Sequence, residues 1–477
     1  MESVNPATGE PLDSYETHSA DEVDAALDAA SETFPAWAER PIRDRCRLLS
    51  RTADLLSERV DEYARLATRE MGKPIGQARA EVEKCARVCD YYAERAPEYL
   101  ADEVIGTEPD ARTLVSYEPL GPVLAVMPWN FPFWQTFRFA APTLAAGNVG
   151  LLKHASNVPG CALAIEDVLR DAGVPEGVFR SLLVGSDRVN DVIGDDRVRA
   201  VTLTGSEGAG RAVAERAGAE LKRTVLELGG SDPFVVLDDA PVEATAAKAA
   251  HARTLNNGQS CIAAKRFVVH TDVYEPFVDA FRRELAELTV GDPLDEEVDV
   301  GPQARPDLLA DLHDQVEHSV DAGATLELGG EPLDREGPYY PPTLLTDVPP
   351  DSAAATEETF GPVAAVFEVD GEAEALARAN DTEYGLGASV WTGDPERGER
   401  FARRFEAGCC FVNEYVKSDP RVPFGGVKAS GYGRELSRHG VREFVNRKTI
   451  WVQHGLGEGD DPGAGGSTDR DGRDAVE

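Results

Sequence analysis

A cysteine and a glutamate lie in two glycine-rich turns near the middle of this 477-residue chain. Cys261 closes a Gly-Gln-Ser-Cys segment, and Glu227 opens a Glu-Leu-Gly-Gly segment before it. A thiol in a tight, amide-rich turn can be a nucleophile, and a nearby carboxylate can activate water. The pattern therefore predicts covalent catalysis through Cys261. The alternatives are structural, because a lone cysteine is more often a small buried residue and an exposed glutamate beside two glycines can be a turn residue.

A third candidate is Asn130, in the Pro-Trp-Asn-Phe-Pro segment that begins at Pro128. Attack of a thiolate on a carbonyl makes an oxyanion, which needs fixed hydrogen-bond donors. The side-chain amide of Asn130 is one such donor. The alternative for this segment is a rigid turn in which the asparagine takes a left-handed conformation.

A glycine-rich segment from Thr204 to Gly210 follows a short apolar run and opens a helical pattern. The N–H groups at the start of a helix can face a pyrophosphate. Because the spacing differs from Gly-x-Gly-x-x-Gly, this segment taken alone is a weak sign of a dinucleotide site.

Together these motifs resemble those of the NAD(P)-dependent aldehyde dehydrogenase superfamily, in which Glu-Leu-Gly-Gly precedes the catalytic Gly-Gln-x-Cys by this interval. The resemblance extends from about Asn5 to about Val452. It implies that Cys261 attacks the aldehyde to form a thiohemiacetal and that Asn130 and the Cys261 N–H bind the oxyanion. It also implies that Glu227 activates the water that hydrolyses the thioester. Members of the family that transfer the acyl group to coenzyme A lack this glutamate, so hydrolysis to the free acid is favoured.

The resemblance also implies a bound NADP or NAD. Gly205 and Gly210 match the family's Gly-x-x-x-x-Gly, and Lys153 matches the lysine that meets the adenosine ribose. Ser156 occupies a position where NAD-preferring members often carry glutamate, and a hydroxyl there can donate to a ribose 2′-phosphate, which slightly favours NADP. Glu358 is expected to accept from the nicotinamide ribose. The predicted cofactor-binding residues are Trp129, Lys153, Ser156, Gly205, Ser206, Gly210, Leu228, Glu358 and Phe360.

The substrate prediction depends on two arginines. Arg138 lies where succinate-semialdehyde dehydrogenases carry an arginine for the distal carboxylate, and a guanidinium pairs well with such a group. The alternative is a helix arginine in a salt bridge. A second arginine, six residues before the nucleophile in many such enzymes, is absent because Leu255 is there, and Arg421 is the candidate for a second anchor.

Residues 418–422 and 440–444 resemble the bacterial succinate-semialdehyde dehydrogenases more than the betaine or retinal groups, which implies a small-molecule aldehyde substrate such as succinate semialdehyde. The alternatives are a broad-range or other short-chain aldehyde dehydrogenase and a non-catalytic dinucleotide-binding relative. A thiol hydrolase using Cys261 with His251 or His270 is more remote.

The elements that must position these residues follow from periodicity. Residues 17–38, 42–71 and 73–94 have helical spacing, with breaks expected at Pro35, Pro41 and around Gly72. From residue 113 to 227, short apolar runs alternate with helical segments, which predicts a Rossmann-type parallel sheet. A second alternating series from residue 234 to 391 predicts another α/β domain.

The expected fold class is therefore α/β, with an aldehyde dehydrogenase fold. Residues 1–115 and 139–229 are predicted to form the cofactor-binding domain and residues 230–418 the catalytic domain. The resemblance implies that residues 116–138 and 419–454 form a small β oligomerisation element in a homodimer or homotetramer. Residues 455–477 are polar and glycine-rich, so they are expected to be a disordered acidic tail.

Composition limits the partners and the location. The formal net charge is −38, from 86 acidic and 48 basic residues, which disfavours nucleic acid binding. No apolar run is long enough to cross a membrane and no signal peptide is recognisable, so a cytoplasmic protein is expected. An acidic excess this large resembles proteins of salt-loving organisms. The seven cysteines have no paired-scaffold or metal-ligand spacing, so free thiols and no metal site are expected.

Overall fold

The computed structural model describes residues 1–108 and 111–454. The predicted acidic tail, residues 455–477, lies outside the described residues. None of the helices in those two ranges combines the length and the apolar character that a bilayer span needs.

The described chain alternates between α-helices and β-strands after an initial hairpin and a helical segment. The strands are β1 (Glu2–Val4), β2 (Pro11–Ser14), β3 (Glu103–Glu108), β4 (Ala111–Pro119), β5 (Pro122–Met127), β6 (Val149–His154), β7 (Phe179–Ser181), β8 (Ala200–Thr204), β9 (Arg223–Glu227), β10 (Asp232–Val236), β11 (Ala264–His270), β12 (Thr325–Leu328), β13 (Thr343–Thr346), β14 (Val363–Val369), β15 (Gly387–Trp391), β16 (Cys409–Val412), β17 (Gly431–Tyr432) and β18 (Val445–Gln453). The α-helices are α1 (Ala20–Glu39), α2 (Ile42–Glu58), α3 (Val60–Met71), α4 (Ile75–Tyr99), α5 (Pro132–Ala146), α6 (Pro159–Asp171), α7 (Val189–Gly194), α8 (Glu207–Ala219), α9 (Val242–Thr254), α10 (Tyr274–Ala286), α11 (Pro306–Asp321), α12 (Ala353–Thr356), α13 (Glu372–Asn380), α14 (Pro395–Ala402) and α15 (Ser437–Val441).

The N-terminal helices follow the predicted pattern with two differences. The predicted helix 42–71 is divided at Arg59 into α2 and α3. The break expected at Pro35 is wrong, because Pro35 lies inside α1, which continues to Glu39. A proline near the end of a helix removes a single N–H, and the few residues that follow can still close the last turn. Gly72 ends α3 in the left-handed conformation that glycine adopts without strain.

The predicted parallel cofactor sheet is present. Its strand order is β17-β9-β8-β5-β6-β7, and the five strands from β9 to β7 are parallel. All five residues of β8 are buried and so are nearly all of β5 and β6, as expected for parallel strands with helices on both faces. The chain runs from β5 through β6 to β7 on one side and then crosses to β8 and β9 on the other. The topological switch point of this sheet therefore lies between β5 and β8.

The second predicted α/β domain is a seven-stranded sheet with the order β12-β13-β14-β11-β10-β15-β16. It is parallel except for β12, which pairs antiparallel with β13 at one edge. Its core on one face contains the ring of Phe234, which stacks on Trp391 and makes a tilted contact with Phe267.

A third sheet is small and antiparallel, with the order β18-β4-β3. It differs from the predicted oligomerisation element in its boundaries. Residues 122–138 belong to β5 and α5 of the cofactor sheet, whereas β3 and the start of β4, which were assigned to the cofactor domain, join the small sheet. The physical reason is burial: β5 is buried along nearly its whole length and fits between other parallel strands, while most of β4 is only partly buried.

Candidate active site

One half of the site lies at the carboxyl ends of the cofactor-sheet strands. Trp129 and Asn130 follow β5 directly, and Gly205 and Ser206 follow β8. Because β5 and β8 are neighbours at the switch point, these two turns face the same crevice.

The other half lies at the amino ends of two neighbouring strands of the seven-stranded sheet. Cys261 precedes β11, and Glu358 and Phe360 precede β14. The two halves enclose a cleft of about 370 Å³. It is lined by Pro128, Trp129, Asn130, Gln135, Thr204, Gly205, Ser206, Leu228, Gly229, Cys261, Arg305, Leu308, Glu358 and Phe360.

The loop that carries Cys261 is fixed by side-chain amides. Asn256 and Asn257 have left-handed backbone conformations, with φ of 57° and 59°, which asparagine tolerates better than most residues. The Nδ2 of Asn256 donates to the carbonyl oxygens of Asn130 at 2.8 Å and of Gln259 at 3.0 Å. The amide of Asn257 bonds Gly72 and Pro302 in the same way. Asn256 thus ties the Asn130 turn to the nucleophile loop.

Lys265 holds the same loop from the other side. Its buried ammonium donates to the carbonyl oxygens of Ser260 at 3.0 Å, of Cys261 at 2.8 Å and of Ala263 at 3.2 Å. It also lies 3.5 Å from the carboxylate of Glu358. Three carbonyls and one carboxylate therefore surround one buried cation, which fixes the backbone on both sides of the nucleophile.

The thiol of Cys261 is half-buried in this loop. Burial raises the pKa of the Cys261 thiol to about 12, and the positive charge of Lys265 acts in the opposite direction. The thiol is therefore neutral at physiological pH until a base removes its proton.

Asn130 presents an amide beside that thiol. One N–H of its Nδ2 donates to the Gln259 carbonyl at 3.0 Å, which leaves the second N–H of the same nitrogen available. Within the described ranges the backbone N–H of Cys261 makes no hydrogen bond. These two N–H groups are the donors that the oxyanion role requires.

The turn that carries Asn130 is anchored by a carboxylate from α4. Residue Phe131 gives α5 no side-chain cap, and Glu81 accepts instead from the N–H groups of Phe133 and Trp134, each at 2.9 Å. Lys73 pairs with Glu81 and lies 3.9 Å from the centre of the Phe131 ring. A buried ion pair thus sets the position of the Asn130 turn.

Glu227 ends β9 and is buried, with an exposed fraction of 2%. The alternative of an exposed turn residue is therefore wrong. Neither oxygen of its carboxylate has a hydrogen-bond partner within the described residues. Burial, and then the neighbouring carboxylate of Glu435, raise its pKa well above the usual value, while Arg138 opposes this. Its side chain does not line the cleft in this structure, so its role as the water-activating base stays a prediction.

The glycine-rich turn after β8 has the geometry of an anion site. Ser206 caps α8 by accepting from the N–H of Ala209 at 3.4 Å, and Gly205 donates to the Glu227 carbonyl at 3.0 Å. A Cβ at Gly210 would meet the Leu228 side chain at 2.6 Å, so glycine lets α8 pack against the end of β9.

Lys153 and Ser156 lie farther along the same sheet edge. Lys153 is the fifth residue of β6, the neighbour of β5, and burial lowers the pKa of its partly buried ammonium. Ser156 is exposed in the following turn. Neither side chain lines the cleft.

Glu358 and Phe360 lie at the opposite end of the cleft. The carboxylate of Glu358 accepts from the Gly230 N–H at 3.1 Å, and the Phe360 ring makes an edge-on contact with Trp129, 5.8 Å between centroids. This aromatic pair joins the two halves of the cleft.

The two predicted substrate arginines are not at the cleft wall. Arg138 is 2% exposed, pairs with Glu435 and donates to the Thr204 hydroxyl at 3.3 Å, which matches the salt-bridge alternative. Arg421 is exposed and pairs with Asp419 at 2.7 Å. The substrate-binding role of both arginines stays a prediction.

Sequence analysis missed several residues of the site. Gln135 lies in the first turn of α5, close after Asn130, and that proximity was the available signal. Arg305, whose guanidinium lies 5.9 Å from the Trp129 ring centre, and Leu308 belong to a segment without any motif. Lys265 is the second residue of the apolar strand β11, and no motif marks it as part of the site.

The residues around the cleft fit a dinucleotide. A capped helix start supplies backbone N–H groups and Glu358 a carboxylate, and Lys153 supplies a cation farther along the same sheet edge, outside the cleft lining. Two buried polar atoms of lining residues, Oδ1 of Asn130 and Oε1 of Gln135, have no hydrogen-bond partner in the described part of the chain. Across residues 1–108 and 111–454, no cluster of His, Cys, Asp and Glu is arranged to hold a metal ion.

Comparison with known proteins agrees with this geometry. A probable succinate-semialdehyde dehydrogenase (NADP+) of Synechocystis sp. is 55% identical over 450 residues, covering 94% of this chain and 99% of the relative. Succinate-semialdehyde dehydrogenase (NADP+) 1 of Mycobacterium tuberculosis is 51% identical over 452 residues, with the same coverages. The crystal structure of a Streptococcus pyogenes succinic semialdehyde dehydrogenase in complex with NADP+ is 36% identical. It superposes with a TM-score of 0.93 and covers 95% of this chain and 100% of its own.

The pattern that defines the aldehyde dehydrogenase family matches residues 1–450, nearly the whole chain. The predicted fold class is confirmed. The chain belongs to the aldehyde dehydrogenase family.

Proposed function

We propose that this protein oxidises succinate semialdehyde to succinate, with NADP+ as the hydride acceptor and a thioester on Cys261 as the intermediate. The observation that carries the proposal is the cleft that brings the Cys261 thiol together with the Asn130 amide and the start of α8. Relatives at 51% and 55% identity, whose names contain this reaction, support the choice of aldehyde.

The side chains of this protein would divide the chemistry as follows. Cys261 gives its proton to solvent water as its sulfur attacks the carbonyl carbon, and the oxyanion accepts hydrogen bonds from Asn130 and from the Cys261 N–H. One such preorganised donor contributes about 3 to 4 kcal/mol where it has been measured. When bound, the nicotinamide cofactor accepts the hydride that leaves the thiohemiacetal carbon.

Glu227 would then remove a proton from the water that attacks the thioester. The raised pKa of this buried carboxylate makes it a stronger base once it is ionised. Because its side chain does not line the cleft, we infer that it rotates toward Cys261 for this step. Its free carboxylate oxygens, which no hydrogen bond holds in place, support such a rotation.

NADP+ is the cofactor we favour over NAD+. Ser156 and the partly buried Lys153 put a hydroxyl and a cation near the expected ribose, with no carboxylate at Ser156 to repel a 2′-phosphate. The names of the similar proteins also contain NADP+. NAD+ is the alternative.

A homodimer or homotetramer is the assembly we propose, with the small β18-β4-β3 sheet as the contact. This sheet exposes large apolar side chains to solvent: Val104 is 60% exposed, Ile105 65% and Trp451 63%. Exposed apolar groups on both outer strands of one small sheet are typical of protein interfaces. Sedimentation of the Val104→Lys, Ile105→Lys double variant should give a smaller species than the wild type.

The decisive experiment measures NADPH and NADH formation with succinate semialdehyde and propanal in molar KCl. We expect the highest kcat/KM with succinate semialdehyde and NADP+. Equal use of both aldehydes would favour a broad-range dehydrogenase, and no reduction of either cofactor would favour a non-catalytic relative. Hydrolytic activity without nicotinamide would instead indicate a thiol hydrolase.

We also propose that the protein works in a salt-rich cytoplasm. Its net charge of −38 causes self-repulsion that molar salt would screen, since the Debye length then falls to about 3 Å. The melting temperature should rise between low and molar KCl, and a constant value would contradict this.

A further inference from the structure

Lys265 is a buried cation that contacts both the nucleophile loop and a carboxylate of the cleft. Its side chain is 1% exposed. Its Nζ donates to three carbonyl oxygens, those of Ser260, Cys261 and Ala263, and lies 3.5 Å from Oε1 of Glu358. An ammonium has three N–H groups and no acceptor, whereas a neutral amine would turn a lone pair toward one of these four oxygens. The surroundings of Lys265 therefore require its charged form.

Glu358 is held by one of its two carboxylate oxygens. Oε1 accepts from the Gly230 N–H at 3.1 Å and faces the Lys265 ammonium. In the parts of the chain that the structure describes, no donor reaches the other oxygen, Oε2. Because Glu358 lines the cleft, Oε2 is the oxygen available to a bound cofactor. Lys265 thus fixes the direction in which this carboxylate can accept a hydrogen bond.

The ion pair keeps both of its members charged. Burial lowers the pKa of Lys265 and raises the pKa of Glu358, and each partner opposes the shift of the other. The other charged groups near Lys265 are Arg253 of α9 and Asp232 of β10, which act on its pKa in opposite directions. Without Lys265, Glu358 would be a buried carboxylate with a single backbone donor, which favours its neutral form.

The same ammonium acts on the nucleophile. Its contact with the Cys261 carbonyl, at 2.8 Å, places a positive charge within the residue that carries the thiol. Two cations, Lys265 of β11 and Arg138 of α5, lower the pKa of the thiol. Two carboxylates, those of Glu358 before β14 and Asp232 of β10, raise it. Lys265 has the largest effect of these four charges, so it is the main group that opposes the effect of burial on the thiol.

We propose that Lys265 is a positioning residue for two steps of the reaction: it holds one oxygen of Glu358 so that the other meets the cofactor, and its charge favours loss of the Cys261 proton. This inference rests on the proposed function and adds a residue to it. Lys265 does not line the cleft, so it acts through Glu358 and Cys261, which do. A purely structural lysine would need only donors for the three carbonyls, and a neutral side chain could supply some of them.

The experiment measures two properties that do not depend on turnover. One is the rate at which iodoacetamide alkylates Cys261 between pH 7 and pH 10, read by peptide mass spectrometry, and the other is Kd for NADP+. Lys265→Met removes the charge and keeps a side chain of similar length. Lys265→Arg keeps a cation, and Lys265→Gln keeps donors without a charge.

Arg266→Met is the matched control, because Arg266 is the next residue of β11. Its guanidinium is as buried as the Lys265 ammonium and also donates to three backbone carbonyls, those of Ser231, Arg378 and Ala379. Among the described residues it has no hydrogen bond or ion pair with Cys261 or Glu358. The control therefore loses a comparable set of buried hydrogen bonds away from the two groups that Lys265 contacts.

Lys265→Met should slow the alkylation of Cys261 about tenfold or more at a given pH, because a nearby opposite charge typically lowers a pKa by about 1 to 3. Kd for NADP+ should rise about tenfold, the size expected from one hydrogen bond to a charged group. Lys265→Arg should recover alkylation better than Lys265→Gln, and Arg266→Met should stay near the wild type in both properties. Lys265→Gln takes the place of the methionine variant if that variant melts far below Arg266→Met.

Unchanged alkylation, or equal slowing in Lys265→Met and Arg266→Met, would overturn the inference and leave the proposed function intact. An unchanged Kd for NADP+ would overturn the part that concerns Glu358. A wild type that binds NADP+ and is alkylated at Cys261, but oxidises no aldehyde, would instead overturn the proposed function.

Discussion

The nucleophile and the proposed base of this enzyme are held by opposite means. Cys261 sits in a loop whose carbonyls are bonded by Asn256 and Lys265, so its backbone cannot move without breaking several buried hydrogen bonds. Among the described residues, the Glu227 carboxylate has no hydrogen-bond partner, and a second carboxylate, Glu435, lies nearby.

This difference shows what each group has to do. A nucleophile must keep one position relative to the oxyanion donors, so a rigid loop is an advantage. A base that acts after the hydride has left has to reach a different place and bind a proton, which requires freedom and a raised pKa. An unpaired buried carboxylate reduces stability, so this part of the molecule favours function over folding.

Removing the thiol should have the largest effect. Cys261→Ala should lower oxidation at least about a thousandfold, because the lining of the cleft, as the structure describes it, contains no second thiol that could form the thioester. Steady-state NADPH formation is the measurement, with Cys410→Ala as a control since that cysteine is exposed and outside the cleft. A Cys261→Ala variant that keeps a tenth of the rate would refute the assignment of the nucleophile.

Removing the base should slow the second half of the reaction, thioester hydrolysis, much more than the first half. Glu227→Gln should slow thioester hydrolysis by about 10² to 10⁴-fold, the usual contribution of a general base, and spare the first hydride transfer. Rapid mixing should then show a burst of NADPH close to one per active site, followed by a slow steady rate. An unchanged steady rate would remove Glu227 from the mechanism.

Substitutions in the Cys261 loop and at Glu227 should have opposite effects on the free energy of unfolding. Asn256→Ala should destabilise the protein by about 1 to 3 kcal/mol, because it leaves the buried Asn130 carbonyl without a donor and removes one of the two donors to the Gln259 carbonyl. Asn256→Gly, which relieves the positive φ, separates the backbone effect from the lost hydrogen bonds.

Glu227→Gln, in contrast, should stabilise the protein at neutral pH by on the order of 1 kcal/mol, as substitutions at functional sites often do. A carboxyl whose pKa is raised on folding contributes fully below its unfolded pKa, and this contribution is lost as pH rises through the folded pKa. Denaturant unfolding at pH 5 and pH 8 tests both variants. Equal destabilisation by Asn256→Ala and Glu227→Gln would contradict the difference between the Cys261 loop and Glu227.

The smallest effect should come from the neighbour of the base. Glu435 raises the pKa of Glu227, so Glu435→Gln should move the rising limb of the kcat–pH profile to lower pH. Without Glu435, Arg138 loses its ion-pair partner, and the positive charge of Arg138 then lowers the pKa of Glu227 further. Glu443→Gln is a control on the same segment, and an unmoved limb would mean that Glu435 does not influence the base.

The sequence alone predicted much of the fold and the family of this protein. The fold class, the two α/β sheets and the family followed from motifs that are local in the chain, because turn glycines, strand periodicity and the Gly-Gln-x-Cys segment each depend on near neighbours. The family match confirms that part. The roles of Cys261, Asn130 and Glu227 came from the same motifs and stay predictions.

The charged groups behind the site were decided only by the tertiary structure. Arg138 and Glu435 come from α5 and the segment before α15, and no pattern in the chain brings them together. Likewise, the role of Lys265 depends on three carbonyl oxygens that come together around it, and β5 belongs to the cofactor sheet because it is buried. The physical reason is that a local conformation depends on neighbours in sequence, whereas pKa values and ion pairs depend on burial and on charges that meet only in the folded molecule.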